Sequence, residues 1–284
     1  MLSIQTNIAS LYGQQNLSVN SNFQQTTINR LTSGYRINSA ADDPAGMAIA
    51  NALRNERTEL SQGIRNGNDG VSQLQIIDGG LQNISQILDR LKTLAVQGAS
   101  GTFTGDYGTL TAEIKNDLAE IDRQADNIGL GANSTSFAQT LSVYIGGGLG
   151  TSNGAQIGSA KETIDLSAST VGTTSLGLDA NLGALDSAST AADFQAVIAD
   201  IASAVVSLGK TQGAVGAGIN QLNFAIGLAQ SQVTNYAADE SRIRDADIAS
   251  EAANLAKSQT LMQSTMAALS QANQIPQSVL KLLQ

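Results

Sequence analysis

Residues 191–237 read AADFQAVIADIASAVVSLGKTQGAVGAGINQLNFAIGLAQSQVTNYA, and their spacing decides the fold. Taken alternately four and three apart, they give Phe194, Ile198, Ile201, Val205, Leu208, Gln212, Val215, Ile219, Leu222, Ile226, Ala229, Val233 and Tyr236. Only Gln212 is polar in that series, so the stretch reads as a heptad seam of about six repeats on one long helix. A second seam follows on Ile248, Ala252, Leu255, Gln259, Met262, Met266 and Leu269. Ala238-Asp239-Glu240-Ser241 is predicted to be the joint between the two.

The N-terminal half mirrors this pattern. Asp43 suits a helix cap and Pro44 the first helical position. From there Leu53, Leu60, Ile64, Gly67, Val71 and Leu74 alternate by threes and fours, and the series resumes one residue out of step as Ile77, Leu81, Ile84, Leu88, Leu91 and Ala95. Such a slip is a stammer, which overwinds a coiled coil locally. Asn66-Gly67-Asn68-Asp69-Gly70 is rich in turn formers, yet the seam crosses it in phase, so one weakened helix is predicted rather than two. A shorter helix is expected on Leu110, Ile114, Leu118, Ile121 and Ala125, and a looser one on Ile4, Ile8, Leu11 and Leu17 to Leu31, ending at Ser33-Gly34.

These lengths set the expected shape. A helix over residues 44–97 would span roughly 80 Å and one over 191–237 roughly 70 Å, at about 1.5 Å per residue. A compact globule of this chain length is only about 50 Å across. The prediction is mainly α: an elongated rod of long coiled-coil helices, with a small β-hairpin region in the middle of the chain. Residues 133–180 are rich in Gly, Ser and Thr and hold short alternating stretches, Leu141, Val143, Ile145 and then Ile164, Leu166. The expected organisation pairs an N-terminal arm, 1–43, with a C-terminal arm, 240–284. Residues 44–132 and 181–239 form the helical rod, and 133–180 form its hairpin and loops.

Composition narrows the function. The 284 residues include no His and no Cys. That excludes thiol and imidazole nucleophiles, bases and metal ligands of those types. A net charge of −9 has the wrong sign for a nucleic-acid footprint. Neither a basic n-region nor an apolar h-region opens the chain, and no run of 18 apolar residues is seen, so neither a cleaved signal peptide nor membrane insertion is expected. Catalytic, cofactor and metal sites are not predicted. Ala204–Thr211 loosely fits a phosphate loop, but Val205 and Leu208 belong to the seam, which spends the backbone amides on a helix. Gly146–Gly150 lacks dinucleotide spacing and reads as a hairpin turn. Asp239, Glu240, Asp245 and Asp247 alternate with Arg242 and Arg244, which suits a solvated, ion-paired joint with a capping aspartate better than a Ca²⁺ site.

Charge is distributed unevenly. Residues 1–29 and 258–280 carry none, and Ser, Thr, Asn and Gln fill 17 of the first 29 positions. Uncharged polar helices have little to repel a second copy, so both ends are predicted to be buried in an assembly. Its core would include Ile4, Ile8, Leu11 and Leu31 with Leu255, Met262, Met266, Leu269 and Ile275.

Two blocks of motifs carry a family resemblance. Leu31-Thr32-Ser33-Gly34-Tyr35-Arg36-Ile37-Asn38-Ser39-Ala40-Ala41-Asp42-Asp43-Pro44-Ala45-Gly46, Asn68-Asp69-Gly70 and Leu94-Ala95-Val96-Gln97 resemble the N-terminal signature of bacterial flagellins. Ser241-Arg242-Ile243-Arg244-Asp245-Ala246-Asp247 and Gln271-Ala272-Asn273-Gln274-Ile275-Pro276-Gln277 resemble the closing motifs. The likeness covers about 1–130 and 190–284 and implies a short member without large variable outer domains.

The resemblance implies a structural subunit, not an enzyme, that polymerises with itself into the flagellar filament and serves motility. It further implies an extracellular location and export without a cleaved signal through the flagellar type III apparatus. An export chaperone on about 245–284, and filament cap and hook-associated proteins, are implied as partners. A host innate immune receptor is implied at Arg90, Leu94 and Glu113, although Asp89 stands where stimulating members carry Gln; Arg90 and Glu113 read better as inter-subunit or surface ion pairs. The rival readings are a hook–filament junction protein and a secreted coiled-coil adhesin.

Overall fold

The computed structural model describes residues 7–102, 105–131, 140–146, 151–152, 155–156, 161–167, 169–179, 181–186 and 188–282. For 151–152, 155–156 and 275–282 it describes the backbone alone. Among the described residues five helices dominate: α1 (Ile8–Ser33), α2 (Pro44–Gly98), α3 (Tyr107–Asn127), α4 (Ala191–Arg244) and α5 (Ile248–Leu282). Four short strands are β1 (Thr140–Tyr144), β2 (Thr151–Ser152), β3 (Ala155–Gln156) and β4 (Lys161–Asp165). The chain divides into two compact units, 1–55 with 235–284 and 56–234. That boundary lies within α2 and α4, whereas the sequence suggested 43/44 and 239/240.

In the larger unit the heptad pattern is real but turned. On α4 the buried residues are Phe194, Val197, Ile201, Ala204, Leu208, Thr211, Val215, Gly218, Leu222, Ile226 and Ala229. Every seventh residue agrees with the expected seam. Between them, however, Val197, Ala204, Thr211 and Gly218 are buried in place of Ile198, Val205, Gln212 and Ile219. Hydrophobicity points to the larger neighbour, while close packing selects the smaller one.

The same correction removes the stammer. On α2 the buried residues from Leu60 onward include Leu60, Gly63, Gly67, Gly70, Leu74, Ile77, Leu81, Ile84, Leu88, Leu91, Ala95 and Gly98, an unbroken alternation of threes and fours, with Gly80 and Leu94 buried beside it. Gly63 and Gly70 hold the places expected for Ile64 and Val71. The turn-rich 66–70 stretch is helical throughout, as the in-phase seam predicts.

The small residues are explained by what lies over them. β1 and β4 pair antiparallel, with Leu141 opposite Ile164 and Val143 opposite Glu162. Val143, Ile145, Ile164 and Leu166 are buried. A methyl group on Gly63 would fall 1.5 Å from the Ile145 carbonyl oxygen, one on Gly70 2.8 Å from Val143, and one on Gly218 2.8 Å from Ile164. The hairpin therefore seats on glycines from two helices. Asn66 Nδ2 donates to the Tyr144 carbonyl oxygen at 3.0 Å and fixes its register. Of Gly146–Gly150, Gly146 has φ 77°, which suits the predicted turn, and the rest lie outside the described residues.

α3 buries all five expected residues, Leu110, Ile114, Leu118, Ile121 and Ala125. Its N-cap Asp106 accepts from the Gly108 amide at 2.9 Å. Tyr107 and Phe194 rings lie 5.6 Å apart, and the Phe194 ring abuts Gly98. A loop after β4 also joins the core through Val171, Leu176, Leu178, Leu182 and Leu185. Asp122 ties it down by accepting from the Thr173 amide at 2.7 Å and hydroxyl at 2.9 Å. Only Leu178, Leu182 and Leu185 keep a four-and-three spacing, too short a run among Gly, Ser and Thr to read as an element.

Ala204–Thr211 is helix interior, as the reading of its amides as spent on a helix predicts. α4 does contain a stretch apolar and long enough, by composition and length, to cross a membrane, with a mean hydropathy of 1.5. Counting consecutive apolar residues misses it because single Ser, Thr, Gln and Lys residues break each run while Ala, Val, Ile and Leu keep the average high.

Candidate assembly surface

The smaller unit is built around the pair α1 and α5. Asn7 caps α1, accepting from the Ser10 amide at 3.2 Å, while its Nδ2 donates to the Ala272 carbonyl at 2.8 Å. Asn20 Nδ2 donates to Thr265 Oγ1 at 3.1 Å, and Arg30 pairs with Glu251 at 3.4 Å. Partners descend on α5 as they ascend on α1, so the helices are antiparallel. Gly13 lies directly beneath Leu269 Cδ1.

The fully buried side chains of this pair are polar, with half-buried leucines and Met262 beside them. They are Ser10 and Thr27 on α1 and Glu251 and Ser258 on α5. Thr27 Oγ1 and Ser258 Oγ donate to carbonyls of their own helices, Phe23 at 3.0 Å and Leu255 at 2.8 Å, which satisfies them without a partner helix. The large apolar side chains point outward: Tyr12 is 65% exposed, Val19 60%, Ile8 55% and Leu11 54%, and Met266 is also exposed. Leu31, Leu255, Met262 and Leu269 are half-buried. Ile4 lies outside the described residues, and Ile275 is described only as α5 backbone. On α5, Leu255, Met262 and Leu269 keep the expected seam, but Glu251, Ser258 and Thr265 replace Ala252, Gln259 and Met266 between them. This is the turn already seen in α2 and α4.

The two signature blocks meet at one place. α1 ends on Gly34, with φ 74° and its amide donating to the Arg30 carbonyl. Its carbonyl accepts from the Ala246 amide at 2.9 Å, and the Arg36 amide donates to the Arg244 carbonyl at 2.6 Å, making a single β-bridge between Tyr35 and Asp245. Arg36 Nη2 donates to the Ile243 carbonyl at 2.8 Å, and the Arg244 guanidinium lies 4.2 Å from the Tyr35 ring centroid. The joint therefore falls at Asp245–Asp247, four or more residues beyond the expected Ala238–Ser241, which stays helical. Pairing with Tyr35 takes the Asp245 backbone out of the helix, and Asp247 restarts it by accepting from the Ala249 amide at 2.9 Å. Asp239 pairs with Arg242, as the ion-paired reading expects. Nearby, Asp43 accepts from the Gly46 amide at 2.9 Å and α2 begins at Pro44. The Ser39 and Asn38 groups donating to Asp42 hold its carboxyl below the ordinary range, the Ser39 amide most of all.

In the larger unit, Arg90 pairs with Glu113 and, at 3.4 Å, with Asp117. Burial pushes the Asp117 carboxyl up, and Arg90 opposes this in part. Leu94, one turn on from Arg90 along α2, is buried. The cluster joins α2 to α3. Among the described residues no group of His, Cys, Asp and Glu is arranged to hold a metal ion.

Comparison with known proteins agrees with both ends. Residues 4–140 match the family model for the bacterial flagellin N-terminal helical region, and 198–283 match that for the C-terminal helical region. The chain belongs to the bacterial flagellin family.

It is 34% identical to the flagellar filament 30.7 kDa core protein of Treponema maltophilum and 31% identical to the flagellin of Halalkalibacterium halodurans, each over 99% of both chains. It is 40% identical to the B-type flagellin of Pseudomonas aeruginosa over 62% of this chain, which spans 34% of that longer relative. As a flagellin of short form, the chain is a structural, self-polymerising subunit of the extracellular flagellar filament and not an enzyme.

Proposed function

We propose that the α1–α5 pair, residues 1–43 with 240–284, is the part of the subunit buried at the filament's inner core, and that residues 44–239 form the surrounding rod. One observation carries this reading. The pair buries serine, threonine and glutamate inside while turning isoleucine, leucine, valine and tyrosine outward. An isolated pair arranged this way gains little from burial and leaves a large apolar surface in water. Other copies, equally free of charge at their ends, cover that surface without desolvating an ion.

Assembly and folding are then coupled. The arms gain order on joining a filament end, because the pair alone is marginal. The test mixes purified chain with sheared filament seeds and compares the full chain with Leu11→Asp and with a version lacking residues 1–30. The full chain extends seeds and gains helical circular dichroism as it does so. Both variants stay in the supernatant with rods intact. Unchanged dichroism on polymerisation, or growth of the shortened chain, would sink this reading.

Export through the flagellar type III apparatus without a cleaved leader, chaperone binding at about 245–284, and contacts with cap and hook-associated proteins belong to the same proposal by family likeness. A host receptor at Arg90, Leu94 and Glu113 belongs to it as well; Arg90 is exposed and paired with Glu113, and Leu94 is buried.

A further inference from the structure

The chain holds no Cys, His or Trp, so its four methionine sulfurs are the groups most open to oxidation by a peroxide. Two of them, Met262 and Met266, stand one turn apart on α5, inside the stretch 258–280 that carries no charge. Met266 is 49% exposed and Met262 is half-buried. Met47, near the start of α2, is half-buried, and Met1 lies outside the described residues. The hydroxyls of Ser258, Thr260 and Thr265, which flank the pair on α5, donate to carbonyls of their own helix, Leu255 at 2.8 Å, Ala256 at 3.0 Å and Leu261 at 2.7 Å. They are therefore spent and cannot serve a new acceptor beside them.

We propose that Met262 and Met266 form a reversible oxidation site that decides whether the free chain can join a filament. The inference rests on the reading above that other copies cover the α1–α5 surface. The thioether sulfur attacks one oxygen of hydrogen peroxide; an S–O bond forms as the O–O bond breaks, and the sulfur gives up two electrons. The departing hydroxide takes the proton of the new S–OH group and leaves as water. The product, methionine sulfoxide, replaces a flexible apolar tip with a polar one that accepts hydrogen bonds and cannot donate them. In the free chain water solvates that oxygen. Under a second copy it is left without a donor, because the hydroxyls beside it are already spent. Enclosure also shields the sulfurs once a chain is in place, so the site acts on chains awaiting assembly and spares the finished filament. A methionine sulfoxide reductase restores the thioether: its two thiols become a disulfide and the oxygen leaves as water.

The test treats the free full chain with dilute hydrogen peroxide, maps sulfoxides by peptide mass spectrometry and measures seeded growth. Met266 is oxidised first, with Met262 and Met47 slower. Oxidation at both α5 sites raises the critical concentration for elongation by at least about tenfold. Treatment with sulfoxide reductases and dithiothreitol returns it to the untreated value. The melt of the larger unit, 56–234, which holds none of the four methionines, is unchanged. In finished filaments both α5 sulfurs react at least about tenfold more slowly than in the free chain. Met262→Leu combined with Met266→Leu is compared with its own untreated growth, which peroxide shifts by less than about twofold. The inference is overturned if the oxidised chain elongates like the untreated one, if peroxide inhibits the double variant as strongly as the natural chain, or if reduction does not restore growth. Leu11→Asp separates the two levels. If it is excluded from filaments while the oxidised chain elongates, only the oxidation site is wrong; if it elongates like the natural chain, the covered surface beneath this inference is wrong as well.

Discussion

Replacing Gly63 by alanine tests how the hairpin is held. Elsewhere in a helix interior this change is favourable by about 1 kcal/mol, because alanine loses less backbone freedom on folding. At Gly63 the new Cβ would sit 1.5 Å from the Ile145 carbonyl oxygen and 2.8 Å from its Cα. A main-chain carbonyl cannot rotate aside as a side chain can, so the hairpin must retreat. Overpacking of this kind costs about 1–3 kcal/mol, and here the upper end applies. Retreat also strains the Asn66 bond to the Tyr144 carbonyl, worth about 1 kcal/mol. Set against the helix gain, the net loss is about 2 to 3 kcal/mol. For a unit of this size, 56–234, each kcal/mol moves the melting temperature by about 2–4 °C. Gly213→Ala is the matched control, because its Cβ would meet nothing within 4 Å. It should gain about 1 kcal/mol. Far-UV circular dichroism melts of the full chain measure both. If Gly63→Ala rises alongside Gly213→Ala, the hairpin does not rest on that glycine and the packing argument for the turned seam is wrong.

Three other outcomes follow from the geometry. Gly34→Ala forces a side chain into a left-handed backbone at the meeting of the signature blocks and should destabilise the smaller unit by about 1 kcal/mol, read by urea titration. Asp247→Ala removes the acceptor for the first α5 amides and should also cost about 1 kcal/mol, with amide exchange rising first at Ala249 and Ser250. Burial holds the Asp117 carboxyl above its ordinary value of 3.8, so the folded state binds that proton more tightly than the unfolded chain. The stability this group contributes is full below 3.8 and is lost as pH rises through the folded value. Asp117→Asn should therefore melt higher than the natural chain at neutral pH, with the difference vanishing in acid; an equal difference at both would contradict the burial.

Much of the molecule was legible without a structure. The helices, the cap at Asp43, the single helix through Asn66–Gly70, the α3 core and the hairpin residues all follow from spacing and residue type, because each depends on neighbours within one or two turns. The charge-free ends and the signature blocks sufficed for the family. What local pattern could not supply was rotation. On α2, α4 and α5 alike, the residue buried between successive heptad positions is the small or polar one, Gly63, Gly70, Ala204, Gly218 or Ser258, and the larger residue just after it turns aside. Hydrophobicity ranks single residues, whereas burial depends on how closely another element must approach. The hairpin over Gly63 and Gly218 and the polar contact between α1 and α5 are long-range facts with no counterpart in spacing. The same holds for the joint, which tertiary pairing of Tyr35 with Asp245 moved from 238–241 to 245–247. Sequence determined which segments are helices and that both ends of the chain are free of charge. Only the folded chain decided which side of each helix faces inward, and so which apolar side chains remain for a neighbouring subunit.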